Sequence, residues 1–316
     1  MKFLNCILLL TLCLLGCAGN RTETDAADAV ADAAGQHFLW KISDENSSVW
    51  ILGSVHFGDS SFYPLDSVVE SAFANAEELA VEIDMSDDSV SNAVAEQSLN
   101  QGMLLEGKTL SEVISRDMWN TLDSLCASWN FPIAGLMQMR PWMVATTLSV
   151  VAVQRAGIDP NLGVDMVLLD RAASDGKAIV GLETAEEQIG ALADTSETDS
   201  SGIYYLKTTL REISELDSMV AQIVRAWKTG NDSLLRVALG EEDDDDEDET
   251  LSEKNIKENL TEKIYTGRNA KMAESVAEFL KEDRNVFVVV GAAHLALEKD
   301  NVIDILKRKG FKVERF

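Results

Sequence analysis

The sequence predicts an α/β fold, with a mixed β-sheet of about six strands and a helical subdomain inserted between two strand–Gly-x-x-His motifs. Short β-branched runs lie near both ends of the chain and around residue 180, whereas apolar residues at helical spacing fill the middle. The two motifs, Val49–His56 and Val286–His294, are apolar runs that break at Gly53 and Gly291 and reach a histidine three residues later. Because open α/β sheets bind ligands at the carboxyl ends of their strands, a shared site is favoured over two unrelated loop histidines.

The predicted strands begin with a hairpin, in which two apolar runs flank the polar turn at residues 43–46. A later run, Leu79–Ile83, carries Glu82 near its end. In chain order, strands are predicted at Phe38–Ile42, Ser48–Leu52, Leu79–Ile83, Lys177–Leu182, Val286–Val290 and Phe311–Arg315.

The predicted helices are recognised by their spacing and by their first residues. Pro64 and Pro141 suit the first turn of a helix. Thr184 followed by Glu187 forms a capping-box pattern. In order, helices are predicted at Pro64–Ala76, Asp87–Gln101, Thr109–Ser128, Pro141–Ala156, Gly163–Asp175, Thr184–Ala191, Ile203–Thr229, Ser252–Glu282 and Asn301–Lys309.

The first 17 residues have the form of a secretory signal, because the apolar stretch from Phe3 to Leu15 is too short to span a bilayer. The segment Leu14–Cys17 resembles a bacterial lipobox, in which Cys17 is lipidated and becomes the first mature residue. An ordinary signal peptide that contains a cysteine is the alternative. Residues 18–36, rich in Ala, Asp, Thr and Gly, are interpreted as a flexible tether. Since Ala18 follows the cysteine, we expect lipid anchoring in the cell envelope, at the outer membrane facing the periplasm.

Cysteine usage agrees with this interpretation. Cys6 and Cys13 leave with the signal, so only Cys126 remains beside the lipidated Cys17. A monomer can then form no internal disulfide, and no thiolate metal cluster is available. Cys126 lies in an amphipathic stretch and is interpreted as a small buried apolar residue.

The charge of the chain excludes one class of partner. The formal net charge is −27, which disfavours nucleic acid and anionic lipid head groups. Part of the excess lies in the unbroken acidic run Glu241–Glu249, which predicts a disordered loop at residues 240–251. A divalent-cation buffer is the alternative, but the run lacks the glycine and the spacing of a calcium loop.

Two carboxylates fall at strand ends, as the histidines do. Glu82 interrupts one apolar run and Glu183 ends another. Each alone is typical of a strand that meets water. Beside His56 and His294 they predict a site for a divalent cation such as Zn, Mn, Co or Fe. The His-Glu-x-x-His pattern, Gly-x-Ser-x-Gly, a phosphate-binding loop and a dinucleotide fingerprint are absent from the sequence.

Several spaced motifs resemble the TraB/GumN (PrgY) family over residues 37–316. They are Trp40–Ile42, Trp50–His56 with Glu82, Arg140–Trp142, Gly163–Asp165, Gly181–Gln188, Arg268-Asn269 with Met272, and Gly291–Leu295. The family is similar to the Tiki membrane metalloproteases and, more distantly, to erythromycin-esterase-like and ChaN-like proteins. The acidic run is interpreted as an insertion specific to this chain.

The resemblance implies an α/β core in which His56, Glu82 and His294 surround a metal ion. It also implies hydrolysis for the Tiki branch. Glu82, Glu183 and Arg268 are the candidate catalytic residues, with Arg268 reaching a substrate carboxylate or clamping Glu183 or Asp165. Asp165 alone reads equally well as a helix cap.

We therefore expect a lipid-anchored, metal-dependent hydrolase that acts on a peptide or small-molecule substrate. A non-catalytic periplasmic protein that uses the same pocket to bind or inhibit a peptide is the alternative. The sequence leaves the metal, the substrate and the oligomeric state open.

Overall fold

The computed structural model describes residues 37–241, 250–282 and 284–316. The predicted signal peptide, the lipidation site Cys17, the tether and most of the acidic run lie outside the described residues. Cys126 is buried, as the sequence predicts.

A single six-stranded mixed sheet forms the centre of the fold, which confirms the predicted fold class. The strands are β1 (Leu39–Ser43), β2 (Ser48–Ser54), β3 (Glu78–Val81), β4 (Ala178–Gly181), β5 (Val286–Gly291) and β6 (Val313–Arg315). Their order across the sheet is β4-β3-β5-β2-β1-β6. The strands from β4 to β2 are parallel, whereas β1 runs antiparallel to both β2 and β6.

Strand register brings the distant sequence motifs side by side. Ser54 of β2 lies opposite Gly291 of β5, although the two residues are far apart in the sequence. Val81 of β3 lies opposite both Val289 of β5 and Gly181 of β4. The carboxyl ends of four parallel strands therefore meet at one edge of the sheet. Every residue of β3 and β5 is buried, as expected for the centre of a parallel sheet covered on both faces.

Helices account for most of the described chain. In order they are α1 (Ser67–Asn75), α2 (Asp88–Gly102), α3 (Leu110–Val113), α4 (Arg116–Trp129), α5 (Pro141–Arg155), α6 (Val164–Asp175), α7 (Ala185–Leu192), α8 (Ser200–Glu212), α9 (Leu216–Lys228), α10 (Asp232–Ala238), α11 (Leu251–Thr261), α12 (Gly267–Phe279), α13 (Ala292–Ala296) and α14 (Val302–Arg308). Within the described ranges, no helix is long and apolar enough to cross a membrane.

Three predicted helices are each divided in the structure. The one predicted at Ser252–Glu282 is divided into α11 and α12 by the π-helical turn Glu262–Thr266. The one predicted at Thr109–Ser128 breaks because Ser115 caps α4, accepting a hydrogen bond from the Met118 amide. The one predicted at Ile203–Thr229 breaks at the 3₁₀ turn Ile213–Glu215. Hydrophobic periodicity is shared by both halves in each case, so it does not reveal the break.

Local capping also moves two other boundaries. The first helix begins at Ser67 rather than Pro64, because the Asp66 side chain caps it. The short helix α10 was not predicted, since seven residues give too little periodicity to recognise. The helix α11 begins at Leu251, with Thr250 forming a capping box with Glu253. The capping box predicted at Thr184 and Glu187 is present at the start of α7.

Candidate functional site

Four of the sequence-predicted site residues lie at the carboxyl edge of the parallel strands. His56 follows β2, Glu82 follows β3, Glu183 follows β4, and His294 lies in α13 directly after β5. All four are at most 7 % exposed. The fifth, Arg268, is also buried and reaches the same edge from α12. The strand-end positions that the sequence indicates therefore meet in one buried cluster, which we call the strand-end site.

The two imidazoles are each held through Nδ1 by a different partner. His56 Nδ1 lies 2.8 Å from Asp165 Oδ2, and His294 Nδ1 lies 2.6 Å from Asn269 Oδ1. The Asn269 amide nitrogen donates to the Asp300 carbonyl oxygen at 2.9 Å, which fixes the orientation of the amide. In both neutral rings the proton is therefore on Nδ1 and the lone pair is on Nε2.

Glu82 is the point on which both rings converge. Nε2 of His56 and Nε2 of His294 each lie 3.9 Å from Glu82 Oε1, so they cannot be further apart than twice that distance. The same oxygen accepts a hydrogen bond from the Gly291 amide at 2.6 Å. The second oxygen, Oε2, accepts one from Arg268 Nη2 at 2.6 Å.

Arg268 ties the acidic residues together. Its Nε and Nη2 donate to the two oxygens of Glu183, each at 2.7 Å, in a bidentate arrangement. Nη2 also lies 3.0 Å from Gln188 Oε1, and Nη1 donates to the Ile264 carbonyl oxygen at 3.1 Å. Of the two acids that the sequence suggested for Arg268, it clamps Glu183, while Asp165 holds His56 instead.

The charges of the site push its pKa values in opposite directions. Burial alone would raise the pKa of Glu82, but Arg268 and the two imidazoles lower it to about 2. Burial, together with the same guanidinium, lowers the pKa of His294 to about 3. Burial opposes protonation of His56 too, yet the Asp165 carboxylate raises the pKa of that ring. The Glu183 carboxyl has its pKa raised, chiefly by burial.

Two glycines allow the backbone to approach the site closely. A Cβ on Gly291 would lie 3.2 Å from His56 Nε2 and 3.3 Å from Glu82 Oε1. A Cβ on Gly163, which precedes α6, would lie 2.7 Å from the carbonyl carbon of His56. Any side chain at either position would displace the groups that form the site.

The space inside the site is small. A cavity of about 20 Å³ adjoins His56, Glu82 and Asp165, which is room for one water molecule. Met85 and Met166 also line it, and both side chains are partly exposed.

The donor set fits a divalent cation in chemistry, although not yet in arrangement. Two Nε2 lone pairs and a carboxylate are suitable ligands, and hydrogen bonding of Nδ1 to an acceptor is the usual support for a metal-bound histidine. Within the described residues, however, no group of three or more His, Cys, Asp or Glu side chains is arranged so that it could hold a metal ion. Glu82 already accepts hydrogen bonds from Arg268 and Gly291.

The residues that hold the two histidines have only a weak signal in the sequence. Asp165 and Asn269 occur in the quoted motifs, but no periodicity signals their contact with His56 and His294. Nothing in the sequence points to Tyr265, whose ring packs edge-on against His294 with centroids 5.4 Å apart. Tyr265 belongs to the π-helical turn Glu262–Thr266, which places both it and Arg268 against the site. Such turns are frequent at functional sites, but sequence alone does not reveal them.

The fold and the site define an α/β protein with a buried cluster of histidine, glutamate and arginine at the carboxyl edge of a mostly parallel sheet. The chain belongs to the TraB/PrgY/gumN family, whose sequence model matches residues 38–315. It is 26 % identical over 200 residues to "Uncharacterized protein YbaP" of Escherichia coli (strain K12), a match that covers 61 % of this chain and 70 % of that protein. It is 20 % identical over 279 residues to an uncharacterized protein of Treponema pallidum (strain Nichols), covering 87 % of this chain and 81 % of that one. No solved structure matches the chain.

Proposed function

We propose that this protein is a metal-dependent hydrolase that acts on peptides and is anchored to the cell envelope by lipid. One observation carries the catalytic part of the proposal. The two imidazoles are fixed through Nδ1, and each directs Nε2 to within 3.9 Å of one Glu82 oxygen. His56, His294 and Glu82 would hold the metal. A bound divalent cation supplies a water of lowered pKa and polarises a carbonyl oxygen.

The remaining residues of the site have separate roles in this proposal. Asp165 and Asn269 keep the protons on Nδ1, so that Nε2 of each ring stays available. Glu183 is the candidate for proton transfer, since burial raises the pKa of its carboxyl. Arg268 positions Glu183 and holds Glu82 ionised.

The preference for a peptide rests on the resemblance to the Tiki branch and on the size of the opening required. The 20 Å³ cavity holds water but no scissile bond, so substrate entry requires lining side chains such as Met85 and Met166 to move. Methionine side chains are flexible and polarizable, which suits them to such a rearrangement.

The same closure favours a second candidate function. A site whose two glutamates are both engaged by Arg268 and whose cavity admits one water also suits a non-catalytic protein that binds or inhibits a peptide. In that case the buried ion pairs serve to order the fold, and peptide binding would proceed without turnover.

Elemental analysis of the purified protein, with a peptide-hydrolysis assay on the same sample, tests the proposal. His56→Ala, Glu82→Gln and His294→Ala should each remove the metal and the activity, because ligands act as a unit. His37→Ala is the matched control. His37 is a partly exposed histidine outside the strand-end site, and its Nε2 lies 3.6 Å from Asp66 Oδ1. Stoichiometric peptide binding without metal or cleavage would instead support the second candidate.

The anchoring part of the proposal rests on Leu14–Cys17, which lies outside the described residues. Cys17→Ser should release the protein from membranes, because it removes the residue that carries the acyl chains. Several such chains hold a protein far more firmly than one. Mass spectrometry of the native N-terminus checks this directly. An unmodified first residue other than Cys17 would refute lipidation and leave the hydrolase proposal untouched.

A further inference from the structure

A second cavity, of about 280 Å³, adjoins the polypeptide segment that carries His294. Its wall includes Leu295, Ala296 and Leu297, which directly follow that histidine in the sequence. Further walls come from α10, α14 and β6. The cavity has no part in the strand-end site, and it is large enough for a small organic molecule.

Arg236 on α10 is the residue that gives this cavity a chemical character. The side chain is half-buried, and its Nε is buried without a hydrogen-bond partner among the described residues. A guanidinium is always charged and carries only donors, so a buried N–H of this kind lacks an acceptor that it would normally have. Because Nε has almost no accessible surface, a ligand supplies the missing acceptor only if the cavity wall adjusts around it.

Lys307 adds a second positive charge to the same cavity. It projects from α14 and takes part in no ion pair within the described ranges. The third cation, Arg315, is already engaged, since it donates to both oxygens of Asp232 at 2.7 and 2.8 Å. Arg236 and Lys307 are therefore the cations available to a ligand.

The acids of the cavity are partly engaged as well. Asp232 is neutralised by Arg315, and Asp304 accepts a hydrogen bond from the Asn301 side chain at 2.9 Å. Glu298 stands at the exposed rim. In a chain whose formal net charge is −27, a cavity with two available cations is a local departure from the general repulsion of anions.

We propose that this cavity binds a small oxyanion, either a carboxylate or a phosphate group, with Arg236 as its principal contact and Lys307 as a second charge. A guanidinium recognises such groups through paired N–H donors, and the Arg236 guanidinium lines this cavity with an Nε that has no other partner among the described residues. The site is independent of the proposed hydrolase activity.

Calorimetric titration of the full-length protein tests the proposal, using inorganic phosphate and acetate separately at constant ionic strength set with sodium chloride. At least one of the two should bind saturably, and the stronger binder identifies the preferred group. Arg236→Ala should weaken binding at least tenfold. Arg236→Lys should restore only part of it, because a lysine keeps the charge and loses the paired donors.

Two further variants make the test decisive. Arg116→Ala, which removes an exposed arginine on α4, should bind the anion as the unaltered protein does. Lys307→Ala changes an exposed residue, so it should fold normally and bind more weakly, which provides a result if Arg236→Ala is unstable. Absence of saturable binding by both anions, or equal affinity in folded Arg236→Ala and in the unaltered protein, would overturn the proposal.

Discussion

Arg268 donates hydrogen bonds to Glu82 and Glu183 at once, with Nη2 2.6 Å from Glu82 Oε2 and Nε 2.7 Å from Glu183 Oε1. One guanidinium thus joins the ends of β3 and β4, whose last residues, Val81 and Gly181, lie opposite each other in register. Arg268 lowers the pKa of both carboxyls, but only Glu82 also has two imidazoles and the Gly291 amide beside it, and its pKa falls. Burial outweighs Arg268 at Glu183, so the pKa of that carboxyl is raised.

Removal of Arg268 should be strongly destabilising. Arg268→Ala leaves two buried carboxylates without their cation, which typically costs about 3–5 kcal/mol. Lys271→Ala is the matched control on the same helix, because Lys271 pairs with Glu187 at the surface and such pairs contribute about 1 kcal/mol or less. Urea unfolding of both variants measures the difference. Similar losses in the two would contradict the central role assigned to Arg268.

The two histidines of the strand-end site should titrate in opposite directions in metal-free protein. His294 has its pKa lowered to about 3, so the folded state binds fewer protons than the unfolded chain between pH 3 and the ordinary value of 6.5. Its contribution to stability is therefore lost as pH falls through that interval. His56 has a raised pKa, so its contribution is present below pH 6.5 and is lost as pH rises through the folded-state value.

Nuclear magnetic resonance of the ring nitrogens checks this directly. The His294 ring should remain neutral down to about pH 4, whereas His56 should still be protonated when unfolded-chain histidine has become neutral. His294→Gln should flatten the loss of stability below pH 6.5. Two rings that titrate together near the ordinary histidine value would show that Asp165 and Arg268 do not act on them as described.

The partners of the histidines should be exchangeable in their effect. Asn269→Asp places a carboxylate at His294 Nδ1, where the amide oxygen lies 2.6 Å away, and should raise the pKa of that ring. Asp165→Asn removes the carboxylate from His56 and should lower its pKa. The same resonance measurement reads both changes, and circular dichroism confirms that these near-isosteric variants fold. If neither ring changed its pKa, the partners at Nδ1 would not be what sets the pKa values of His56 and His294.

Features that depend on neighbouring residues could be predicted from the sequence, whereas contacts between residues far apart in the chain could not. The strands at Ser48–Ser54 and Val286–Gly291 are recognisable because β-branched runs that end in glycine are local signals. Placing His56 and His294 at strand ends then requires only that the strands be parallel. The hydrogen bond from His56 to Asp165 spans 109 residues and depends on how α6 packs, so no local pattern contains it.

The helical boundaries that were wrong have a similar cause. Periodicity identifies the apolar face of α8 and α9 but does not distinguish one long helix from two with a common face. The break depends on a single turn at Ile213–Glu215, whose residues are ordinary helix formers.

A buried acid next to this break should make stability depend on pH. Burial raises the pKa of Glu212 to about 7, only partly offset by the neighbouring Arg211. The folded state then binds more protons than the unfolded chain between pH 4.5 and 7, so stability is lost as pH rises through about 7. Glu212→Gln should abolish this loss. The free energy of unfolding of the variant, relative to that of the unaltered protein, should be about 1–3 kcal/mol higher at pH 8 than at pH 5. Thermal unfolding at both pH values measures the gain, and the exposed Glu258→Gln on α11 is the control, which should lose the same stability as the unaltered protein.

One added methyl group at Gly291 should disturb the strand-end site while leaving the protein folded. Gly291 has φ −54° and ψ 137°, which alanine adopts without strain, so Gly291→Ala is not penalised by the backbone. Its Cβ would nevertheless lie 3.2 Å from His56 Nε2 and 3.3 Å from Glu82 Oε1, and would push these groups apart. We expect a folded protein whose metal content and hydrolysis are lost, as measured by elemental analysis and peptide assay. Gly181→Ala is the control at the end of β4, where the nearest atom to the new Cβ is 3.4 Å away, and it should keep both properties. Full metal content and activity in Gly291→Ala would mean that His56 and Glu82 do not need their close approach, and the proposed metal site would have to be abandoned.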